Sequence, residues 1–290
     1  MAPRGENPLT AGMDYQHALA LHESCHRLRE LHPLYPRTYG VAVLAEVNKR
    51  RWCPMDSVLT IDRLGSVFDE TATVAGRRAA GNLLAGRLTH EVLGRVLPLV
   101  LLEGRAWDTG LENLWVHFDS DNDIDWAAVV DPTMRVLPDD PAIGHDGRSL
   151  HRDAVVVLPD ESALITWVAH RCHRALAPLF VWLHGVSERA VPVASMWQAV
   201  GSAVVVAASQ LRHLPGNNEA VSFRRSQAML DVMAGFGLPV RGTNAPSRRV
   251  ESPACKMAVH DRPQPARRQL RALSHVPAPA AAGRGDRTQR

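Results

Sequence analysis

The sequence predicts an α+β fold that is predominantly helical, with a small antiparallel β-hairpin and a disordered basic C-terminal tail. Three observations carry this. Apolar residues recur at three- and four-residue steps through Val74, Leu83, Leu84, Leu88, Val92, Leu93 and Val96 into Leu97–Leu102, the period of a helix with one buried face. Two strand-like runs, Asn113–Phe118 and Ile124–Val130, flank the acidic turn Asp119-Ser120-Asp121-Asn122-Asp123, which is the pattern of a hairpin. After Val240 periodicity vanishes and Pro, Arg and Ala dominate, a composition that buries too little to fold. The expected organisation is therefore a lead over residues 1–11, one domain over 12–240 and a tail over 241–290.

At 290 residues, 46% of them hydrophobic and 22% charged, the chain is long enough to bury a sizeable core. The tail holds eleven Arg and Lys against three acids, leaving 22 basic and 27 acidic residues in the first 240. The body is thus mildly acidic, and the net charge of +3 belongs to the tail. With no aromatic residue to stack on bases, that tail is not a specific nucleic-acid reader. No apolar run approaches the ~20 residues of a membrane helix. The opening Met-Ala-Pro-Arg-Gly-Glu-Asn lacks the apolar core of a secretory signal, so the expected address is cytoplasmic. Cys25, Cys53, Cys172 and Cys255 are widely spaced with no C-x-x-C, which speaks against a disulfide scaffold.

Tyr15 to Leu31 reads as a helix with Ala18, Leu21, Cys25 and Leu28 inward, ending before His32-Pro33. It contains His22-Glu23-Ser24-Cys25-His26, a literal H-E-x-x-H, with Glu46 at a distance that suits a third zinc ligand. Two imidazoles one turn apart bind zinc and the glutamate activates water, the pattern of a zinc peptidase. The competing expectation is histidines flanking a core helix, because only twenty-one residues precede His22 and Arg27 breaks the usual apolar surroundings. Val41–Val47 fits either a strand or a helix, and Arg51–Arg63 reads as a connection. The central helix stops at Glu103-Gly104, where glycine supplies a left-handed residue. In the acidic turn, Ile124 and Val130 stand where a calcium loop needs glycine and glutamate, so a solvated turn is expected.

Asp131–Arg152, rich in Pro, Gly and Asp, reads as a loop. Asp160-Glu161 opens the next helix, with Leu164, Ile165, Val168, Cys172, Leu176, Leu179 and Leu183 inward and a kink expected at Pro178. Its other face carries Trp167, His170, Arg171 and Arg174, either an anion site of ring and guanidinium or a second packing face with solvated arginines. His170 and His173 point too far apart for a shared metal ion. Ala194–Leu214 is apolar nearly all round and expected to be buried. Val221–Phe236 is the last helix, with Arg224-Arg225 outward and Met229, Leu230 and Met233 inward.

From about Val74 to Phe236 the order of pieces resembles the ferric-siderophore reductase (FhuF-like) family. The resemblance is carried by the Ala/Leu/Arg-rich helix up to Leu102, by Glu103-Gly104-Arg105-Ala106-Trp107-Asp108 leading into Asn113-Leu114-Trp115-Val116, and by the Leu164–Trp167 helix with Leu176-Ala177-Pro178-Leu179-Phe180. It ends with Met196-Trp197-Gln198-Ala199-Val200-Gly201-Ser202-Ala203. It implies a cytoplasmic protein of iron acquisition that takes iron(III) from imported siderophores by one-electron reduction. The family holds a [2Fe–2S] cluster on a C-terminal Cys-Cys-x10-Cys-x2-Cys, thiolates being the ligands that bind iron tightly. This chain carries Cys255 alone in that region, so no cluster ligand transfers to it, and a slipped reading frame near residue 240 is one source of so abrupt a change in composition. A bulky, often anionic ferric siderophore suits arginine and tryptophan, which makes Arg105, Asp108, Trp167, His170 and Arg174 the candidate ligand residues. The alternative is a non-catalytic binding or scaffold protein with no iron role.

Overall fold

The computed structural model describes residues 20–31, 38–48, 50–57, 63–143, 155–212, 214 and 217–241. The lead, residues 15–19 of the first expected helix and residues 242–290 with Cys255 lie outside this set. The architecture is α+β and mostly helical, as the periodicities predict. Helix α1 spans Ala20–Leu31, with Leu21, Cys25 and Leu28 buried.

Where one long helix is expected, the chain builds three. Helix α2 (Arg63–Ala75) ends at Gly76, whose φ of 83° an L side chain resists, and α3 runs Arg77–Thr89. A π-turn over His90–Gly94 then precedes α4 (Leu97–Glu103). The breaks rotate the apolar stripe, so Val74 is 89% and Leu83 63% exposed although both fit the helical period. The remainder of the stripe, Leu88, Val92, Leu93, Val96, Leu97, Leu99 and Val100, is fully buried and forms the axis of the core. Glu91 and Arg95, one turn apart across the π-turn, make a buried ion pair with Nε to Oε2 at 2.5 Å. Arg95 also reaches the Thr38 and Gly40 carbonyls, which ties the segment after α1 to the centre.

The hairpin forms as expected from β4 (Leu114–Phe118) and β5 (Ile124–Val129). Its turn is closed by the Asp119 carboxylate, which accepts from the Asp121 and Asp123 amides, while Asn122 takes φ 62°, a conformation asparagine tolerates. The hairpin is not isolated. Strand β1 (Ala42–Val43) pairs parallel with β5, and β2 (Trp52–Pro54) pairs antiparallel with β4. The result is a four-stranded sheet in the order β1-β5-β4-β2. A short 3-10 turn, Leu44–Glu46, follows β1. Leu114, Val116 and Phe118 face the helical core, and Trp52 and Trp126 pack together in a smaller cluster on the sheet's outer side.

A second sheet, in the order β3-β6-β7, joins Ala106–Trp107, Met134–Val136 and Val155–Val157. The connection expected over 51–63 and the loop over 131–152 thus each contain a three-residue strand. Strands this short show no alternation of their own and are fixed by pairing with distant partners.

Helix α5 (Glu161–Val186) starts where predicted, its Asp160 cap accepting from the Ala163 amide at 2.7 Å, and it carries Pro178 within. Helix α6 (Val193–Leu211) is not buried all round, because Val205 and Val206 are half-exposed on its outer side. Gly201 lets the chain after α7 cross closely: a Cβ there would lie 1.7 Å from the Val240 carbonyl oxygen. In α7 (Glu219–Gly235) Arg224 is exposed but Arg225 is buried, contrary to the expectation for the pair. Arg225 Nε donates to Glu161 at 2.8 Å and Nη1 to the Leu101 carbonyl at 3.1 Å. A guanidinium there satisfies a carbonyl at the end of α4 that the helix leaves unpaired. No described helix is long and apolar enough to cross a membrane.

Candidate functional site

Glu103 is the last residue of α4, and Gly104 turns the chain left-handed (φ 67°, ψ 36°). That turn sets Glu103 and Arg105 beside one cleft of about 450 Å³, lined by Glu23, Arg27, Glu103, Arg105, Asp140, Pro141 and Ala142. Three segments meet there: α1, the corner after α4 and the 140–142 turn. Asp140 holds its own turn by accepting from the Ala142 amide at 2.8 Å.

Two forked ion pairs organise the cleft. Arg105 is 5% exposed and donates through Nε and Nη2 to the two oxygens of Asp140, each at 2.6 Å. Its remaining nitrogen reaches Ser24 Oγ at 3.1 Å. Nearer the mouth, Arg27 donates through Nε and Nη2 to Glu103 at 2.7 and 2.6 Å. The bond to Glu103 raises the Arg27 pKa above its ordinary value. Ser24 Oγ also accepts from Arg27, and Glu103 lies 3.7 Å from Arg105 Nε, so the pairs form one network. Bidentate guanidinium–carboxylate pairs are rigid as well as strong, so the walls are fixed in shape.

Asp108 is not among the residues that line the cleft. Its carboxylate accepts from the Gly110 amide at 2.8 Å and from Arg171 Nε of α5 at 2.6 Å. Arg171 also bonds Glu112, and this bond holds the Glu112 carboxyl below its ordinary pKa. Arg171, read with the α5 face as an anion binder, is therefore committed to two carboxylates. Trp167 packs beneath the Arg135 guanidinium, 4.7 Å from ring centroid to Cζ. His170 and His173 both meet Phe236, at centroid distances of 6.3 and 5.9 Å, and His173 also meets Trp197. Burial, then the neighbouring charges of His170 and Arg174, lower the His173 pKa. Arg174 is exposed. Of the five candidate ligand residues, only Arg105 lines the cleft; Asp108, Trp167, His170 and Arg174 belong to or pack against α5.

The two histidines of the H-E-x-x-H stretch have different carboxylate partners. His22 Nε2 meets Glu46 at 2.9 Å, while the exposed His26 lies 3.5 Å from the exposed Glu30. Among the described residues no three His, Cys, Asp or Glu side chains are grouped to hold a metal ion. The thiols are equally scattered. Cys25 lies between the amide and carbonyl of Val41, and burial pushes its pKa up to about 11. Cys172 sits against Thr109, with burial pushing it up to about 12. Cys53 is half-buried on β2. Cluster iron needs converging thiolates, and the described cysteines do not fit a [2Fe–2S] group.

Sequence reasoning missed Arg27, Glu103 and Asp140. Arg27 was visible as a charge out of place on an apolar helix, and Asp140 as one acid of a proline-flanked turn, but pairing 35 or 76 residues apart leaves no local mark. Comparison of the chain with protein-family models, curated proteins and solved structures finds no match.

Proposed function

We propose that this chain is a FhuF-like iron-siderophore protein of cytoplasmic iron acquisition, which holds a ferric siderophore in the cleft at Arg105 rather than reducing it. The cleft supports this reading most: about 450 Å³ lies within the range of small-molecule sites, ~300–1,000 Å³. It opens at the helix-to-strand corner that carries part of the family resemblance. The chain's own residues contribute shape and charge. The Arg105–Asp140 pair fixes the floor, and the Arg27–Glu103 pair fixes one rim. No electron-transfer step is assigned, because the described thiols are dispersed.

Titration calorimetry with a ferric siderophore tests the reading. The expected result is saturable binding at one site, weakened strongly by Glu23→Trp, which crowds the cleft from an exposed position on α1. Absence of binding would instead favour a scaffold role with no part in iron handling. Strong visible absorption in protein purified without oxygen, with stoichiometric iron and acid-labile sulfide, would refute the assignment of binding without reduction.

A further inference from the structure

Arg27 and Arg105 both line the cleft, but they are not equally available to a ligand. Arg105 is buried and committed on every nitrogen: Nε and Nη2 serve Asp140, and Nη1 serves Ser24. Arg27 is 44% exposed. Its Nε and Nη2 serve Glu103, and Nη2 also reaches Ser24 Oγ at 3.3 Å. Among the described residues no acceptor takes the N–H groups of Nη1, the donors left over on this guanidinium. The bonds to Glu103 and Ser24 fix the plane of the group, so Nη1 is held in place before a ligand arrives, and preorganisation of this kind lowers the cost of binding.

Glu103 does not exclude a second anion from Arg27. Arg171 in this same chain serves two carboxylates at once, Asp108 through Nε and Glu112 through Nη2. Arg27 holds one carboxylate and has a donor nitrogen to spare. We infer that Arg27, through Nη1, is the ligand contact of the cleft, and that the cleft prefers iron chelates carrying a free carboxylate outside their iron-binding groups. This rests on the siderophore reading of the same cleft and adds the contact and the selectivity. A ligand carboxylate accepts a charge-assisted bond from Nη1 while both forked pairs stay intact, whereas a carboxamide of the same shape offers only a weaker neutral acceptor. Pro141 and Ala142 give either ligand the same apolar wall. Ser24 and Glu103 are positioning residues, which hold the guanidinium and do not touch the ligand.

The test compares N-succinyl ferrioxamine B with its terminal carboxamide, ferric chelates that differ only in whether the succinyl end is charged. Calorimetry on the full chain should show the carboxylate binding about tenfold more tightly, the size expected for one hydrogen bond to a charged group. Arg27→Lys keeps the charge and the reach to Glu103 but removes the spare donor nitrogen; it should bring the two affinities within about threefold by lowering only that of the carboxylate. Glu103→Gln keeps an acceptor for Arg27 Nε and removes the competing negative charge, so it should widen the preference beyond about tenfold. Both substitutions disturb the same rim pair. A merely structural effect would move both ligands together, while the proposed contact moves the carboxylate alone, and in opposite directions. The wild-type comparison decides the matter even if a variant fails to fold. Equal affinities, tighter binding of the carboxamide, or a preference that survives Arg27→Lys or falls with Glu103→Gln would overturn the Arg27 contact while leaving the siderophore reading in place. No binding of either chelate would overturn both.

Discussion

Replacing Asp140 by alanine tests the ion pair on which the cleft is built. In the folded chain the side chains of Arg105 and Asp140 are 5% and 2% exposed, and two 2.6 Å bonds join them. Removing the carboxylate leaves a guanidinium that is desolvated and held, among the described residues, by Ser24 and the more distant Glu103. Breaking one side of such a pair costs about 3–5 kcal/mol. In a domain of this size each kcal/mol lowers the melting temperature by about 2–4 °C, so the drop should be roughly 10 °C. Differential scanning calorimetry and urea denaturation both read it. The double variant Arg105→Met with Asp140→Asn removes both charges while keeping an acceptor for the Ala142 amide, and it should be more stable than Asp140→Asn alone. An Asp140→Ala protein melting within about 2 °C of the parent, or strict additivity in that cycle, would show that the pair is not the floor of the cleft.

Three further outcomes are expected. Gly201→Ala should destabilise by at least about 1–3 kcal/mol, because its Cβ would lie 1.7 Å from the Val240 carbonyl oxygen; urea denaturation checks this. Cys25 and Cys172, with thiols pushed up to about 11 and about 12 by burial, should resist iodoacetamide at pH ~8 in the native state, since only the thiolate reacts. Peptide mapping after labelling reads each cysteine separately, and rapid alkylation of either would contradict its burial. The half-buried His90 donates from Nε2 to the Thr38 carbonyl at 2.9 Å, and burial lowers its pKa below the ordinary 6.5. As pH falls through that value the unfolded chain takes a proton the folded one refuses, so stability declines until the folded pKa is passed. His90→Gln should flatten this part of the pH–stability curve, and an unchanged slope would remove His90 as its source.

The elements most legible in the sequence are those whose signals are local. Asp160 announced α5 by its capping chemistry, Gly104 ended α4 by its left-handed φ, and the alternation of Leu114, Val116 and Phe118 gave the inner face of the hairpin. The errors arose where local pattern and tertiary geometry separate. The glycine at 76 breaks the long helix, and the π-turn at 90–94 re-registers it, yet Val74 and Leu83 keep the helical period while facing solvent. Strands β2 and β6 are three residues each and exist through partners far along the chain. At the candidate site, Arg105 was legible from the helix-to-strand corner. Its partner Asp140 was not, because a single acid in a Pro-, Gly- and Asp-rich loop looks like any other turn residue until the fold brings it to a guanidinium. Arg171 shows the reverse case, an apparent free cation on an amphipathic helix that the fold pairs with Asp108 and Glu112.

The most direct measurement of where the ligand sits is paramagnetic broadening of backbone amide signals by a bound ferric siderophore, with the gallium complex as the diamagnetic control. High-spin iron(III) in the cleft should erase the amide signals of Glu103 to Arg105 and of Ala142 while those of Trp167 to Arg174 persist. Loss of the α5 signals with the corner and the 140–142 turn untouched would place the ligand on the other face and contradict the account.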